Sequence, residues 1–236
     1  MSTLLLRLVG PMQSWGVQSH FIYRDTLSEP SKSGVIGLLC AALGRDRNED
    51  IRDVAALTMG VRVDREGLIQ RDYHTAGKDG YLKASGQIET KNLIVSYRDY
   101  LADAAFLVGL DGDSELLVQL HNALHHPKWL LCLGRKAFVP GEAVWLKDGL
   151  RMNDSLIDAL KDFPRLREPR DDFGDRRMRA VLEDDEGEIV RPDQPLSFAK
   201  GARRFGLRRM TVSFFEDRPL LKEYDDVSLA SDTQPT

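Results

Sequence analysis

The first apolar run, Leu4 to Val9, is interrupted only by Arg7 and ends at Gly10-Pro11, the pattern of a short buried strand. The period changes at Ser31. Val35, Leu38, Leu39, Ala42 and Leu43 recur at helical spacing between a serine cap and a closing Gly44, which predicts a helix from Ser31 to Gly44. A shorter helix is expected over Asn48 to Leu57, followed by an alternating strand, MGVRVDR. Ala104 to Leu110 is another buried strand. It turns at Asp111-Gly112 into a helix capped by Asp113 or Ser114 and ended before Pro127.

With a further strand near Ala137 to Val139, this order is that of a split βαβ unit, an α+β fold of the ferredoxin-like (RRM-like) kind. One insertion interrupts it. Residues 75–93 contain Gly77, Gly80 and Gly86 with Lys78, Lys83 and Lys91, too polar to pack on a sheet, and predict a projecting β-hairpin. Beyond Pro140 the pattern weakens to a short helix near Asp154 to Leu160, a charged stretch from Pro164 to Arg179, and strands at Met178 to Leu182 and Leu207 to Phe215. The expected organisation is therefore a ferredoxin-like domain over 1–140, a smaller β-rich region over 141–215, and a tail over 216–236.

Composition sharpens this picture in two places. The chain has 236 residues, 42% of them hydrophobic, which is enough for a sizeable core. Its net charge of −4 is misleading, because the tail alone carries six acids and two bases and accounts for all of it. Residues 194–215, by contrast, hold Lys200, Arg203, Arg204, Arg208 and Arg209 with no acid, a run suited to phosphate. Cys40 and Cys132 sit in apolar contexts, and neither a signal peptide nor a membrane-length apolar segment is present, so a cytoplasmic location with reduced thiols is expected. The end of the tail, poor in apolar residues, is expected to be disordered.

Nucleotide-loop, zinc-protease and hydrolase signatures are absent. His121 and His125 share a helix face, yet no carboxylate or cysteine stands at a supporting spacing; Asp111-Gly112-Asp113 reads as a turn and cap, and residues 183–187 as a solvated hairpin turn. No metal and no cofactor is expected. Three other segments offer RNA chemistry. GPMQSWG brings Gln13, Ser14 and Trp15, an indole that either stacks on a base or fills the core; PSKSG places Lys32 and Ser33 at a helix start suited to phosphate. RDYHT presents Arg71, Tyr73 and His74, and LGRK a glycine turn followed by Arg135 and Lys136.

These segments also carry a family likeness. LRLVGPMQSWG, PSKSGVIGLLCAALG, RDYHTAG, YRDYLADAAFLVGL and PKWLLCLGRKAFVP, in that order, resemble the CasD family of the type I-E CRISPR surveillance complex, Cascade, within the RAMP superfamily of ferredoxin-like RNA-binding proteins. The likeness implies a non-catalytic subunit that holds the 5′ handle of the CRISPR RNA, caps the RNA-bound backbone beside the backbone and large subunits, meets target DNA only indirectly, and has no membrane role. It implies a handle-binding set of Gln13, Ser14, Trp15, Lys32, Ser33, Arg71, Tyr73, His74, Lys128, Arg135 and Lys136, with Arg203 and Arg204 from the later basic run, and a thumb carrying Lys78, Lys83 and Lys91. The alternative comes from type I-C relatives, metal-independent endoribonucleases that cut repeat RNA; there Tyr73 and His74 would supply acid and base.

Overall fold

The computed structural model describes residues 2–18, 22–83, 85–170 and 176–221. The first strand, β1 (Thr3–Gln13), runs straight through Gly10-Pro11 instead of stopping there. Pro11 lies at the one gap in its pairing with the strand opposite, where Asp103 has a left-handed φ of 54°, so the missing proline N–H breaks no ladder bond. A two-residue strand, β2 (Tyr23–Arg24), precedes α1 (Lys32–Leu43), whose cap Ser31 accepts from the Gly34 N–H and whose end is closed by left-handed Gly44. The second helix is one turn only, α2 (Arg52–Ala55), leading into β3 (Thr58–Arg65).

The insertion begins earlier than the glycines suggest. β4 (Leu68–Ala76) pairs residue for residue with the first half of an 18-residue strand, β7 (Ile94–Asp111), and the small hairpin β5 (Tyr81–Leu82) and β6 (Ile88–Glu89) forms its tip. All nine residues of β4 are exposed, so this two-stranded ribbon stands away from the core. The second half of β7 is interior and continues through Gly112 into α3 (Ser114–His125), capped by Asp113. No strand forms at residues 137–139. The fourth place is taken by β8 (Leu150–Arg151), which gives the antiparallel order β3-β7-β1-β8 of a split βαβ fold.

Then follow α4 (Leu156–Asp162), β9 (Met178–Glu183), β10 (Ile189–Ser197) and β11 (Arg204–Phe215). Because β9 pairs directly with β3, the last three strands extend the same sheet, and no break occurs at residue 140. One face of the sheet is covered by α1 and α3 through Leu4, Leu6, Val35, Leu39, Phe106, Leu117 and Leu120; the other is covered by α4 through Leu5, Leu107, Leu160 and Phe163. The start of the acidic tail is tied down. Asp217 pairs with Arg165 and Arg176, and Leu220 bridges to Arg165, while the expected disorder at the tail's end falls on residues 222–236, outside the described ones.

Buried charges join the two halves. Lys32 is 2% exposed and reaches Glu183 at 2.8 Å; Asp193 accepts from the Lys32 backbone N–H at 2.9 Å and from Arg208 at 2.8 Å; Glu29 holds Arg179 and Arg191. Removing one member of such a set strands its partner in a dry environment, a loss larger than the pair's own net contribution. Glu183 is accordingly not part of a solvated turn, although Asp184 to Gly187 do form one.

Candidate nucleic-acid interface

The root of the ribbon gathers side chains from three elements and one loop. β2 lies parallel to β7 with Tyr23 beside Tyr97 and Arg24 beside Arg98, so two YRD tripeptides, residues 23–25 and 97–99, run in register. The Tyr23 and Tyr97 rings stack with centroids 5.3 Å apart; Tyr73, opposite Tyr97 on β4, meets it edge-on at 5.6 Å. Arg71 lies 6.0 Å from the Tyr97 centroid and grips Asp99 with two hydrogen bonds, of 2.6 and 3.1 Å; the guanidinium holds the Asp99 carboxyl below its ordinary pKa. Alternation along the strands then puts rings and Arg71 on one face, and Arg24 and Arg98 on the other.

The third arginine of that second face comes from the loop after α3. Leu133 donates to the Phe138 carbonyl and Phe138 to the Arg135 carbonyl, closing a turn about Gly134, whose φ is +90°. The turn is held to β1 by the Ser14 N–H donating to the Leu133 carbonyl. Arg135 lies over Phe138, 5.5 Å to the centroid, and donates to the Arg24 carbonyl at 3.2 Å. Burial, and after it the neighbouring positive Arg98 and Arg24, lower the Arg135 pKa against the opposing pull of Asp99 and Asp25. Of the carboxylates nearby, Asp99 is engaged by Arg71 and Asp25 by the N–H groups of Val17 and Gln18, while Asp72, opposite Arg98 on β4, lies 3.6 Å from His74. Among the described residues none forms an ion pair with Arg24, Arg98 or Arg135, of which Arg24 is exposed and the other two are half-buried.

Several residues expected at this surface are elsewhere. Gln13 is fully buried, donating to the carbonyls of Leu8 (3.0 Å) and Ala104 (2.9 Å) and accepting from the Trp15 indole N–H (3.1 Å). Trp15 is 1% exposed and packs on Gly34, where an added Cβ would stand 2.8 Å from the ring; its place is the core. Lys32 is spent on Glu183, and the α1 amides meet Ser31 and Asp193, so no phosphate reaches this helix start; Ser33 is half-buried beside them. Ser14 is buried too, donating to the carbonyls of Asp25 and Asp99, and thus fastens β2 to β7 from beneath. Lys128 packs its stem against Gly44, at the end of α1 remote from Gly34. Arg203 and Arg204 are exposed where the β10–β11 turn enters β11, three strands from β7 or about 14 Å across the sheet. Lys136, Arg71, Tyr73 and His74 are exposed near or on the root; Lys78, Lys83 and Lys91 lie exposed on the ribbon's tip, Lys83 paired with Glu89.

Tyr73 and His74 are consecutive on β4 and so face opposite ways, an arrangement that keeps them from acting on one ribose hydroxyl as acid and base. His74 instead lies 3.6 Å from Asp72. Among the described residues no cluster of potential ligands could hold a metal, and the His125 ring lies tilted against Trp145, 4.2 Å between centroids. Nor is any helix among them long and apolar enough to cross a membrane.

The family described as CRISPR-associated protein (Cas_Cas5) matches residues 3–211. The chain belongs to the Cas5 family. Over 157 residues it is 35% identical to the CRISPR system Cascade subunit CasD of Escherichia coli (strain K12); the match spans 58% of this Cas5 chain and 66%, just under two thirds, of that protein. A crystal structure of a Cas protein superposes with a TM-score of 0.73 at 42% identity, covering 92% of this chain and 98% of that one. A chain of a CRISPR RNA-guided surveillance complex gives 0.76 at 35% identity, covering 92% and 91%. What residue patterns missed in this Cas5 protein is Tyr23, Arg24, Tyr97 and Arg98. The signal was present, as one tripeptide repeated at two places that the fold sets side by side.

Proposed function

We propose that this Cas5 chain holds the 5′ handle of a CRISPR RNA at the root of its ribbon, as a non-catalytic subunit of a Cascade complex, with the ribbon's tip as a thumb between guide RNA and the backbone subunit. The observation that carries the reading is the group of Arg24, Arg98 and Arg135, crowded and without ion-pair partners among the described residues, beside the stacked Tyr23, Tyr97 and Tyr73. Rings that take unstacked bases and guanidiniums that take phosphates are what a single-stranded RNA end requires. The large subunit would meet the same end of the complex, and target DNA would be reached only through the guide.

Fluorescence anisotropy with a labelled handle RNA across a salt series tests this. For a single strand, every phosphate the protein no longer neutralises lowers the slope of log affinity against log salt by about 0.7, so Arg98→Ala with Arg135→Ala should flatten it by about 1.4. An unchanged slope and affinity would remove the root as the handle site.

A further inference from the structure

Most arginines among the described residues are paired with carboxylates, such as Arg62 with Asp64, Arg71 with Asp99, Arg179 with Glu66 and Arg208 with Asp193. The ribbon root departs from that habit, and so does a second place, the turn between β10 and β11. There Lys200, Arg203 and Arg204 are exposed and none forms an ion pair among the described residues. The nearest acid in sequence before them, Asp193, is consumed by Arg208 and the Lys32 amide, and none follows until Glu216.

The turn is built, not loose. Ser197 pairs with Arg204, Ala202 donates to the Ala199 carbonyl at 3.0 Å, and Gly201 supplies a φ of +79°. Phe198 packs against the main core and anchors the tip, with the Phe205 ring 6.4 Å away. Arg203 lies over Phe205, 5.0 Å to the centroid, and Leu207, two residues along the same strand face, is 72% exposed. A flat guanidinium laid on a ring and an open aliphatic side chain beside it offer a platform for bases, and Lys200 at the tip with Arg204 on the strand's other face flank it with charge for phosphates.

We infer that the β10–β11 turn is a second contact for single-stranded nucleic acid, indifferent to sequence and separate from the ribbon root. The register supports the separation: β11 begins beyond the end of the sheet where β3 starts, whereas the ribbon leaves beyond the end where β3 finishes. The inference does not rest on the handle reading, since it concerns strands that carry no handle sequence.

The test uses the full chain and a fluorescein-labelled oligouridylate of about 20 nucleotides, long enough to reach more than one site. Lys200→Ala, Arg203→Ala and Arg204→Ala together should weaken binding about tenfold at low salt and flatten the salt slope by about 2, since three phosphates at about 0.7 each go unneutralised. Thermal melting should not change, because the three side chains are exposed. Photocrosslinking from 4-thiouridine should mark the peptide containing Phe205 and Leu207, and should still do so in the Arg98→Ala, Arg135→Ala background. An unchanged slope in the triple variant, crosslinks confined to the ribbon root, or a defect seen only in binding a protein subunit would each overturn the inference. Failure here leaves the handle-RNA result of the root variant standing, so the two readings fall separately.

Discussion

Gly134 has space for a hydrogen and nothing more. A Cβ there would stand 1.7 Å from the Ser14 carbonyl oxygen, on a backbone whose φ of +90° suits only glycine. Gly134→Ala should therefore cost more than about 2 kcal/mol and displace Arg135, so that melting temperature and handle affinity fall together, whereas Arg135→Ala should lower affinity alone. Trp15→Ala, which empties a fully buried site, should cost about 3–5 kcal/mol by denaturant unfolding. Tyr73 and His74 point apart on β4, so the isolated chain should leave repeat RNA intact in EDTA; specific cutting abolished by His74→Ala would restore the endoribonuclease reading. Sequence made Arg71, Tyr73 and Arg135 legible as candidates, because a basic and aromatic cluster on a polar stretch and a base directly after a glycine are local signals. Gln13, Ser14 and Lys32 misled for the opposite reason. Their polar groups are satisfied in the interior by a carbonyl of Ala104, one of Asp99 and a carboxylate of Glu183, partners found only once the chain has folded.

Among the elements, α1 and α3 could be read end to end, since Ser31, Gly44 and Asp113 are local signals of starting and stopping. β10 could not: Pro192 and Pro195 argue against a strand, and they are tolerated because β10 is the edge of the sheet, with register shifts beside both. The ribbon's root was hidden for a third reason, that both faces of β4 are wet and no alternation of burial marks it. Among the described residues the β5–β6 tip pairs only with itself. Replacing residues 77–90 with a short Gly-Ser link should leave the melting temperature of the isolated chain unchanged while reducing its co-purification with backbone subunit and guide RNA. A fall of many degrees would place the tip in the folding core, and normal assembly would remove the thumb.

At the scale of the whole molecule, the halves are joined by buried charge, and that joint is sensitive to acid. Burial alone would raise the Glu29 carboxyl; Arg191, Ser28 and Arg179 outweigh it and hold the group below its ordinary value of 4.5. A carboxyl with a folded pKa below its unfolded one contributes stability above about 4.5 that drains away as pH falls below it. Melting temperature should thus drop steeply on acidification below that point, and Glu29→Gln should lower stability at neutral pH while flattening the acid limb. The other feature that spans the molecule is β7. Near its Asp111 end its amides sit between β1 and β3, and near Tyr97 they belong to the ribbon; the two regimes meet around Asp103, whose backbone is left-handed. Hydrogen exchange along this one strand should accordingly show a step, slow from Ala104 to Leu110 and fast from Ile94 to Tyr100. A ligand seated at Tyr97 and Arg98 would press on the fast side of that step, so β7 becomes a built-in gauge whose protection at Val95 to Tyr100 rises as the site fills.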